Sequence, residues 1–291
     1  DGYTTLDGGW LFCGSSNQTA IKAKYKAVWK QIATKFKNYD QHLVFESMNE
    51  EFDGTYGTPS STAYANINAY NQIFVDTVRQ TGGNNAKRWL MVPGWNTNIT
   101  YTVGNYGFSL PTDNYRDRSI STPRIMISVH YYDPWNFCGE ESSNVTQWGE
   151  TATNSSKISS WGDESALKSQ FSSLYNKFVA AGYPVVIGEY GSIDKSAYDS
   201  TSAAQRAEFA KKVCTYAKKY GMVPVLWDNG YTGTYGFGVI DRSTCKVTQQ
   251  KIIDAIASVY PKSSSSNSSN SSASSLEGTY SVSYTHLTLP T

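Results

Sequence analysis

The sequence predicts an α/β protein, a (β/α)8 TIM barrel of which this chain carries the later part. Short apolar segments alternate with amphipathic helical segments along residues 19–260, a pattern that indicates a parallel sheet covered by helices. Polar and aromatic residues follow nearly every predicted strand, at the rim where a barrel carries its functional residues. No glycine-rich phosphate loop follows a strand, which argues against the doubly wound alternative.

The predicted elements follow one another in a regular order. Residues 19–37 place apolar side chains at three- and four-residue steps with lysines between them, which indicates an amphipathic helix. Short apolar segments bounded by polar turns indicate strands. The predicted strands are residues 43–49, 89–93, 125–130, 185–189 and 223–227, and the later helices are centred on residues 67–78, 167–178, 210–217 and 252–259.

The number of strands bears on how much of the barrel is present. The pattern predicts five strands, whereas a closed barrel has eight. We therefore expect the chain to lack roughly the first three βα units, or roughly 90 residues at about 250 residues per barrel. Because the strands at residues 43–49 and 223–227 would each lack a neighbour, we expect the chain alone to fold poorly and to be inactive.

Composition changes near the C-terminus divide the chain into three segments. Residues 1–261 are predicted to be the partial barrel domain. Residues 262–275 are rich in Ser and Asn, a composition that cannot bury a core and indicates a flexible linker. Residues 276–291 show no domain-like pattern, and we interpret them as a disordered tail or an expression scar.

Composition also narrows the classes of partner. The formal net charge is +1 and 17% of the residues are charged, so no broad basic surface for nucleic acid is expected. No apolar run approaches the roughly 18 residues that span a bilayer, so no membrane segment is expected. Aromatic residues make up 14% of the chain, and Tyr and Trp suit surfaces that are both apolar and hydrogen-bonding. This combination favours a carbohydrate partner.

Two further patterns concern the compartment and metals. Six Asn-x-Ser/Thr triplets favour a secreted, extracellular protein. Four cysteines allow two disulfides in any of three pairings, among which the sequence does not choose. Their spacing is not that of a zinc site, so no metal is expected. The triplets begin at Asn17, Asn98, Asn144, Asn154, Asn267 and Asn270, and the cysteines are Cys13, Cys138, Cys214 and Cys245.

Two glutamates close two of the predicted strands. Glu50 ends the first strand, and period-two alternation puts it on the face of Glu46 and Met48. Glu189 ends the fourth strand directly after Gly188, which lets the backbone approach a ligand or turn tightly. A polar turn after a buried strand would explain either glutamate alone. Two carboxylates at one rim suit glycoside hydrolysis, in which one protonates the leaving oxygen and the other attacks or activates water.

At these positions the chain resembles glycoside hydrolase family 5 of the clan A barrels, in particular its endo-β-1,4-glucanases. The resemblance rests on LVFESMNE at residues 43–50 and VIGEYG at residues 186–191, and it runs in order over about residues 1–260. It implies that Glu50, at the end of the fourth barrel strand, is the acid/base. It also implies that Glu189, at the end of the seventh, is the nucleophile.

The same resemblance implies roles for four substrate-binding or supporting residues. Asn49 matches the residue that binds the sugar 2-hydroxyl. VHYY at residues 129–132 looks like the family's sixth-strand His-x-Tyr, which implies that His130 supports the catalytic pair and Tyr132 hydrogen-bonds the nucleophile. Trp227 matches the eighth-strand Trp under the sugar ring at the cleavage point. Without the resemblance, His130 is interpreted as structural and Trp227 as a core or a site residue.

Other tryptophans stand in loops after predicted strands, where an aromatic face can stack on a pyranose. Trp10 is the favoured substrate platform because it directly follows the expected third strand, and core packing is the alternative for each tryptophan. The family's Arg on an early strand and His-rich third-strand motif would precede Asp1. The remaining loop tryptophans are Trp95, Trp135 and Trp148.

These features predict a retaining endo-β-1,4-glucanase that uses two glutamates in a double displacement. Such chemistry needs neither a metal nor an organic cofactor. Mannan, xyloglucan or mixed-linkage glucan remain open as substrates within this class. A non-catalytic glucan-binding fragment is the alternative from another class. We expect a monomer whose partner is a β-glucan, and the linker allows attachment to a second module.

Overall fold

Residues 9–261 are described in a computed structural model of the chain. Their main feature is a sheet of five strands whose neighbouring pairs are all parallel. The order of strands in the sheet follows their order in the chain, so the five predicted strands and their parallel pairing are confirmed. The strands are β1 (Phe45–Glu46), β2 (Leu90–Asn98), β3 (Ile125–Tyr131), β4 (Val185–Tyr190) and β5 (Val223–Leu226).

Helices connect the strands, and the five predicted from periodicity are all confirmed. Ser60 begins the second helix by accepting a hydrogen bond from the backbone N–H of Ala63, and Asp163 does the same for Ala166 at the fifth. Such caps satisfy N–H groups that the first turn leaves unpaired. The helices are α1 (Gln18–Phe36), α2 (Ser61–Gln80), α3 (Ile99–Val103), α4 (Trp135–Cys138), α5 (Glu164–Lys177), α6 (Ser202–Lys219) and α7 (Gln250–Val259).

The apolar faces of the helices pack against the sheet. The ring of Trp29 in α1 lies 5.8 Å from that of Phe45 in β1 and 4.4 Å from that of Phe74 in α2, measured between centroids. In the inner strands, the side chains of Ile127 and Ile187 are fully buried. Burying one such side chain contributes roughly 1.5–3 kcal/mol. This packing fixes the strands, and therefore the residues at their carboxyl ends.

The first strand is shorter than its sequence pattern predicts. Residues 43–49 are predicted to be extended, but the strand comprises Phe45–Glu46. The backbone N–H of Ser47 continues the pairing to the carbonyl oxygen of Met91, at 3.0 Å. The chain then leaves the extended conformation, and Glu50 has a φ of 49°. The period-two alternation ends before Glu50, so this turn, and not the strand pleat, directs its side chain.

The outer strands of the sheet are β1 and β5. Within residues 9–261 each pairs on one side only. Val223 and Val225 of β5 are 58% and 46% exposed, although their side chains are as apolar as those of the buried inner strands. Exposed apolar side chains on an edge strand indicate a surface that further elements cover when a barrel closes.

One feature of the fold is not predicted from the sequence. A hairpin comes after β5 and consists of β6 (Ile240–Asp241) and β7 (Lys246–Val247), which pair antiparallel. Two residues per strand are too few to give a period-two pattern, so periodicity does not detect them.

The remaining sequence-based predictions have different outcomes. All four cysteines are free, with Cys245 exposed and the other three buried, so none of the three possible pairings forms. Among the described residues, no helix has both the length and the apolar character needed to cross a bilayer. The predicted linker at residues 262–275 and tail at residues 276–291 lie outside the described part of the chain.

Candidate active site

The carboxyl ends of β1, β3 and β4 bring three of the predicted residues together. Glu189 of β4 is in register with His130 of β3, and Glu50 follows β1. His130 Nδ1 lies 2.8 Å from Glu50 Oε1 and 3.5 Å from Glu189 Oε2. One oxygen of each carboxylate and the imidazole nitrogen all lie within 4.8 Å of one another. The two predicted catalytic glutamates therefore face a single imidazole at the rim of the sheet.

The separation of the two carboxylates bears on the stereochemistry of a glycosidic cleavage that uses both of them. Retaining glycosidases hold the two carboxyl groups about 5–5.5 Å apart, whereas inverting enzymes leave about 6.5–9.5 Å for a water molecule. The oxygens of Glu50 and Glu189 that lie within 4.8 Å of each other correspond to the shorter class. This geometry fits direct attack by one carboxylate.

Glu189 lies where β4 is irregular, because the pairing with β3 and the pairing with β5 both shift register between Ile187 and Tyr190. Its side chain is mostly buried. The hydroxyl of Tyr132 donates a hydrogen bond of 2.8 Å to Glu189 Oε2, the contact that the resemblance implies. Burial raises the pKa of Glu189 above its ordinary value, while His130 and Tyr132 act in the opposite direction. Gly188 leaves room beside it, because a Cβ there would lie 3.1 Å from Ser128 Oγ, a closer contact than Cβ atoms usually make. The strand thus brings a mostly buried carboxylate against the donating hydroxyl of Tyr132 and close to the imidazole of His130.

Glu50 is held by a strained turn. Its φ of 49° is in the left-handed region, and Asn96 and Thr97 on the neighbouring strand have φ values of 49° and 51°. The two turns are joined, because the backbone N–H of Glu50 donates to Thr97 Oγ1 at 3.0 Å and that of Asn96 donates to the Glu51 carbonyl at 2.9 Å. Left-handed non-glycine residues persist only where the surroundings impose them. Thr97 is fully buried and fixes the backbone of Glu50.

A third carboxylate, Glu46, lies close to this pair. Burial raises its pKa, and the Ser128 hydroxyl and His130 act in the opposite direction. The negative charges of Glu46 and Glu50 both raise the pKa of Glu189. Glu46 therefore acts on the electrostatics of Glu189.

An open cleft of about 470 Å³ begins at Glu50. His130 and Tyr132 line it, as does Trp135, which is 52% exposed and meets Tyr132 edge-on at 6.3 Å. Eight further lining residues are not among the predicted site residues, because they carry no catalytic or sugar-binding motif. They are Phe52, Tyr56, Asn96, Thr97, Asn98, Ile99, Asp133 and Gln170.

The other predicted site residues lie elsewhere. Trp95 and Trp148 are buried, which fits the core interpretation. Trp10 packs against the core, lies below the ammonium group of Lys24 at 4.5 Å, and is not among the described residues that line the cleft. Trp227 follows β5, is 41% exposed, and also lies outside the cleft lining.

Asn49 precedes Glu50 and its side chain is exposed at the rim. Its expected contact with a sugar 2-hydroxyl, like the expected position of Trp227 under the sugar, remains a prediction.

Comparison with known proteins gives the family. The family model for cellulase, glycosyl hydrolase family 5, matches residues 7–233. The chain belongs to glycosyl hydrolase family 5. Its relatives include endoglucanase A of Paenibacillus barcinonensis, 61% identical over 258 residues that cover 88% of this chain and 64% of that protein. Endoglucanase A of Clostridium longisporum is 33% identical over 88% of this chain and 46% of that protein.

Solved structures of the family agree with the fold. A family 5 xyloglucanase from Paenibacillus pabuli in complex with ligand has 65% identity and a TM-score of 0.87, over 89% of this chain and 73% of that one. A GH5-4 broad specificity endoglucanase from Bacteroides salanitronis has 39% identity and a TM-score of 0.75, over 84% of this chain and 64% of that one.

Membership in family 5 confirms the (β/α)8 barrel class, and the five parallel strands form part of such a barrel. The chain spans 64% and 46% of the lengths of the two endoglucanases.

The family 5 rim can in principle serve two kinds of chemistry. Glu50, His130 and Glu189 offer ligand atoms close enough to hold a divalent cation. His130 Nδ1 and Glu50 Oε1 share a hydrogen bond of 2.8 Å, whose direction depends on the imidazole tautomer. Two neighbouring carboxyl groups are also the arrangement that proton transfer and carboxylate attack require.

Proposed function

We propose that the protein is a retaining endo-β-1,4-glucanase acting on soluble β-glucans, xyloglucan among them. The observation that carries the proposal is the placement of the two rim carboxylates, whose facing oxygens lie within 4.8 Å of each other and of one imidazole nitrogen. General acid–base catalysis with a covalent intermediate needs this pair and no other group. A purely glucan-binding protein has no use for such a pair.

The proposed mechanism assigns one role to Glu189 and another to Glu50. Glu189 attacks the anomeric carbon while Glu50 transfers its proton to the glycosidic oxygen, which leaves with the aglycone. Glu50 then removes a proton from water, the water attacks the anomeric carbon, and Glu189 is released with net retention. Tyr132, which donates to Glu189 Oε2, stabilises the carboxylate before attack and again as it leaves.

The cleft also indicates which half of the substrate it holds. An acid/base lies beside the leaving oxygen, so the space beyond it belongs to the leaving half. Glu50 lines the cleft, whereas Glu189 is not among its described lining residues. We assign the cleft to the aglycone, and its exposed Trp135 offers an aromatic face to a pyranose.

The choice of substrate is supported by the relatives. The relatives from Paenibacillus barcinonensis and Clostridium longisporum are endoglucanases, and the related structure from Paenibacillus pabuli is that of a xyloglucanase. Aromatic, hydroxyl and amide side chains make up most of the cleft lining, and such a lining suits a neutral polysaccharide. We also propose a secreted monomer, supported by the six glycosylation triplets. Detection of the protein in cell-free culture medium, with one chain per particle by light scattering, tests this.

The experiment on function uses the chain preceded by the N-terminal βα units of the Paenibacillus barcinonensis relative, called the completed barrel below. We expect it to release reducing sugar from xyloglucan, mixed-linkage glucan and carboxymethylcellulose, and NMR of the first product to show the β-anomer. Binding to these glucans without turnover would favour a non-catalytic module. Initial release of the α-anomer would exclude the double displacement.

A further inference from the structure

A second groove opens directly from the cleft. It lies between α3 and α5, has a volume of about 540 Å³, and shares Ile99 and Gln170 with the cleft. None of its lining side chains carries a formal charge, and Thr100, Ser169 and Ser173 contribute hydroxyl groups. The cleft is therefore continuous on this side with a neutral surface that is rich in hydroxyl groups, and part of a ligand bound in the cleft can extend onto it.

The groove also contains an aromatic ring in a fixed orientation. The ring of Tyr106 lies against the backbone of Gly104, where an added Cβ would come within 2.7 Å of it. Tyr101 meets the same ring edge-on at 5.0 Å and 85°. An aromatic face beside hydroxyl groups is the combination that binds a pyranose, which has apolar C–H faces and polar edges.

The two helices that border the groove, α3 and α5, are joined by hydrogen bonds without any ligand. Lys177 Nζ of α5 donates to the carbonyl oxygens of Thr102 and Val103 at the end of α3, at 3.0 and 2.8 Å. At the junction with the cleft, Gln170 Nε2 donates to Asp133 Oδ2 at 2.8 Å. A preformed site loses less conformational entropy on binding than one that must be ordered.

We propose that this groove is an accessory subsite for a neutral sugar branch carried by the leaving half of the glucan. The inference rests on the proposed function, because it takes the cleft beside Glu50 to hold the aglycone. A linear backbone occupies the cleft, and only a substituent on it reaches the groove through the junction at Ile99 and Gln170. Xyloglucan, with its pentose branches, is the substrate class that matches.

The test compares a branched and a linear substrate in the completed barrel. Ser173→Trp fills the groove, and Tyr106→Ala removes its aromatic face. We expect either change to lower kcat/KM on xyloglucan about tenfold, the scale of one aromatic contact, with little change on mixed-linkage glucan. Ser165→Trp is the matched control, because Ser165 is an exposed residue of the same helix outside the groove lining, and both activities should persist.

The outcomes separate the inference from the function on which it rests. If the parent hydrolyses neither glucan, the proposed function fails. If the parent hydrolyses both and neither variant alters the ratio of the two activities, or if both activities fall equally, the groove does not receive a branch. The thermal stability of each variant is measured by melting. Because Tyr106 packs on Gly104, Tyr106→Ala can destabilise the fold. If Tyr106→Ala melts at a lower temperature than the parent, Ser173→Trp alone decides whether the groove receives a branch.

Discussion

The rim of β1 and the rim of β4 hold their glutamates in opposite ways. Glu189 lies within β4 at a shift of the strand register, its side chain is 18% exposed, and the hydroxyl of Tyr132 reaches it from the end of the neighbouring β3. Glu50 follows a strand of two residues, sits in a left-handed turn and has a side chain that is 33% exposed. The proposed nucleophile is thus held by its side-chain partners, whereas the proposed acid/base is held through its backbone as well as by His130.

This difference matches what each role requires. A nucleophile attacks one atom from one direction, so a dry and fixed carboxylate is suitable. An acid/base exchanges its proton with a leaving group and then with water, so it needs access to solvent and a fixed backbone. The turn at Glu50, supported by Thr97, provides both.

The largest expected effects come from removing each carboxylate in the completed barrel. Glu189→Gly should abolish turnover of cellohexaose, because no other group forms the covalent intermediate. Glu50→Ala should lower it by about 10²- to 10⁴-fold, the usual contribution of acid–base catalysis. Azide should rescue Glu50→Ala with formation of the β-azide, identified by NMR. An α-azide from Glu50→Ala would reverse the two roles.

Removing the hydroxyl that reaches Glu189 should have a smaller effect. In Tyr132→Phe the carboxylate loses a hydrogen bond that lowers its pKa, so the pKa rises. Because attack requires the ionised form, the acid limb of kcat/KM against pH should move to higher pH, with about a tenfold loss at acidic pH. Tyr198→Phe, at an exposed tyrosine, is the control. An unmoved acid limb would show that Tyr132 does not act on this ionisation.

The backbone support of Glu50 can be tested with two variants of similar shape. Thr97→Val removes the oxygen that accepts the Glu50 N–H, whereas Thr97→Ser keeps it. We expect Thr97→Val to lower kcat/KM several-fold to tenfold on glucans, which need leaving-group protonation, and less on a dinitrophenyl cellobioside, whose leaving group does not. Thr97→Ser should retain activity on both. Equal losses on the two substrates in Thr97→Val would indicate a general structural role.

The smallest effect on activity is expected at Glu51, where stability changes instead. Burial raises the pKa of Glu51 to about 8, so the folded chain keeps this proton while the unfolded chain loses it near its ordinary value. The free energy of unfolding should therefore fall as pH rises from about 4.5 to about 8. Glu51→Gln should flatten this dependence, as measured by thermal melts across that range. Parallel curves for parent and variant would contradict the assignment.

The sequence predicts the inner strands better than the site around them. Residues 125–130 and 185–189 are mainly apolar, and this composition predicts strands correctly because helices bury them. Glu50 and Glu189 were identified from strand ends, yet alternation gives no account of the turn at Glu50, which depends on contacts with Thr97 across 47 positions of sequence.

Residues without a local signal were missed for a similar reason. Gln170 is an ordinary polar residue on an amphipathic helix, and only the hydrogen bond to Asp133 from β3's loop places it at the cleft. Trp10 was favoured because of its place after an expected strand, but the amine of Lys24 and the neighbouring core determine its position. Tertiary contacts of this kind are not encoded in composition or periodicity.

The single imidazole between the two glutamates has a consequence for the whole catalytic cycle. Before attack, the negative charge is on Glu189 and the proton on Glu50; in the glycosyl intermediate, Glu189 is an ester and the charge has moved to Glu50. The total charge of the rim is the same in both states. His130 Nδ1, at 2.8 Å from one carboxylate and 3.5 Å from the other, stays within reach of the anion wherever it resides, so the surrounding dipoles need little rearrangement between the two half-reactions.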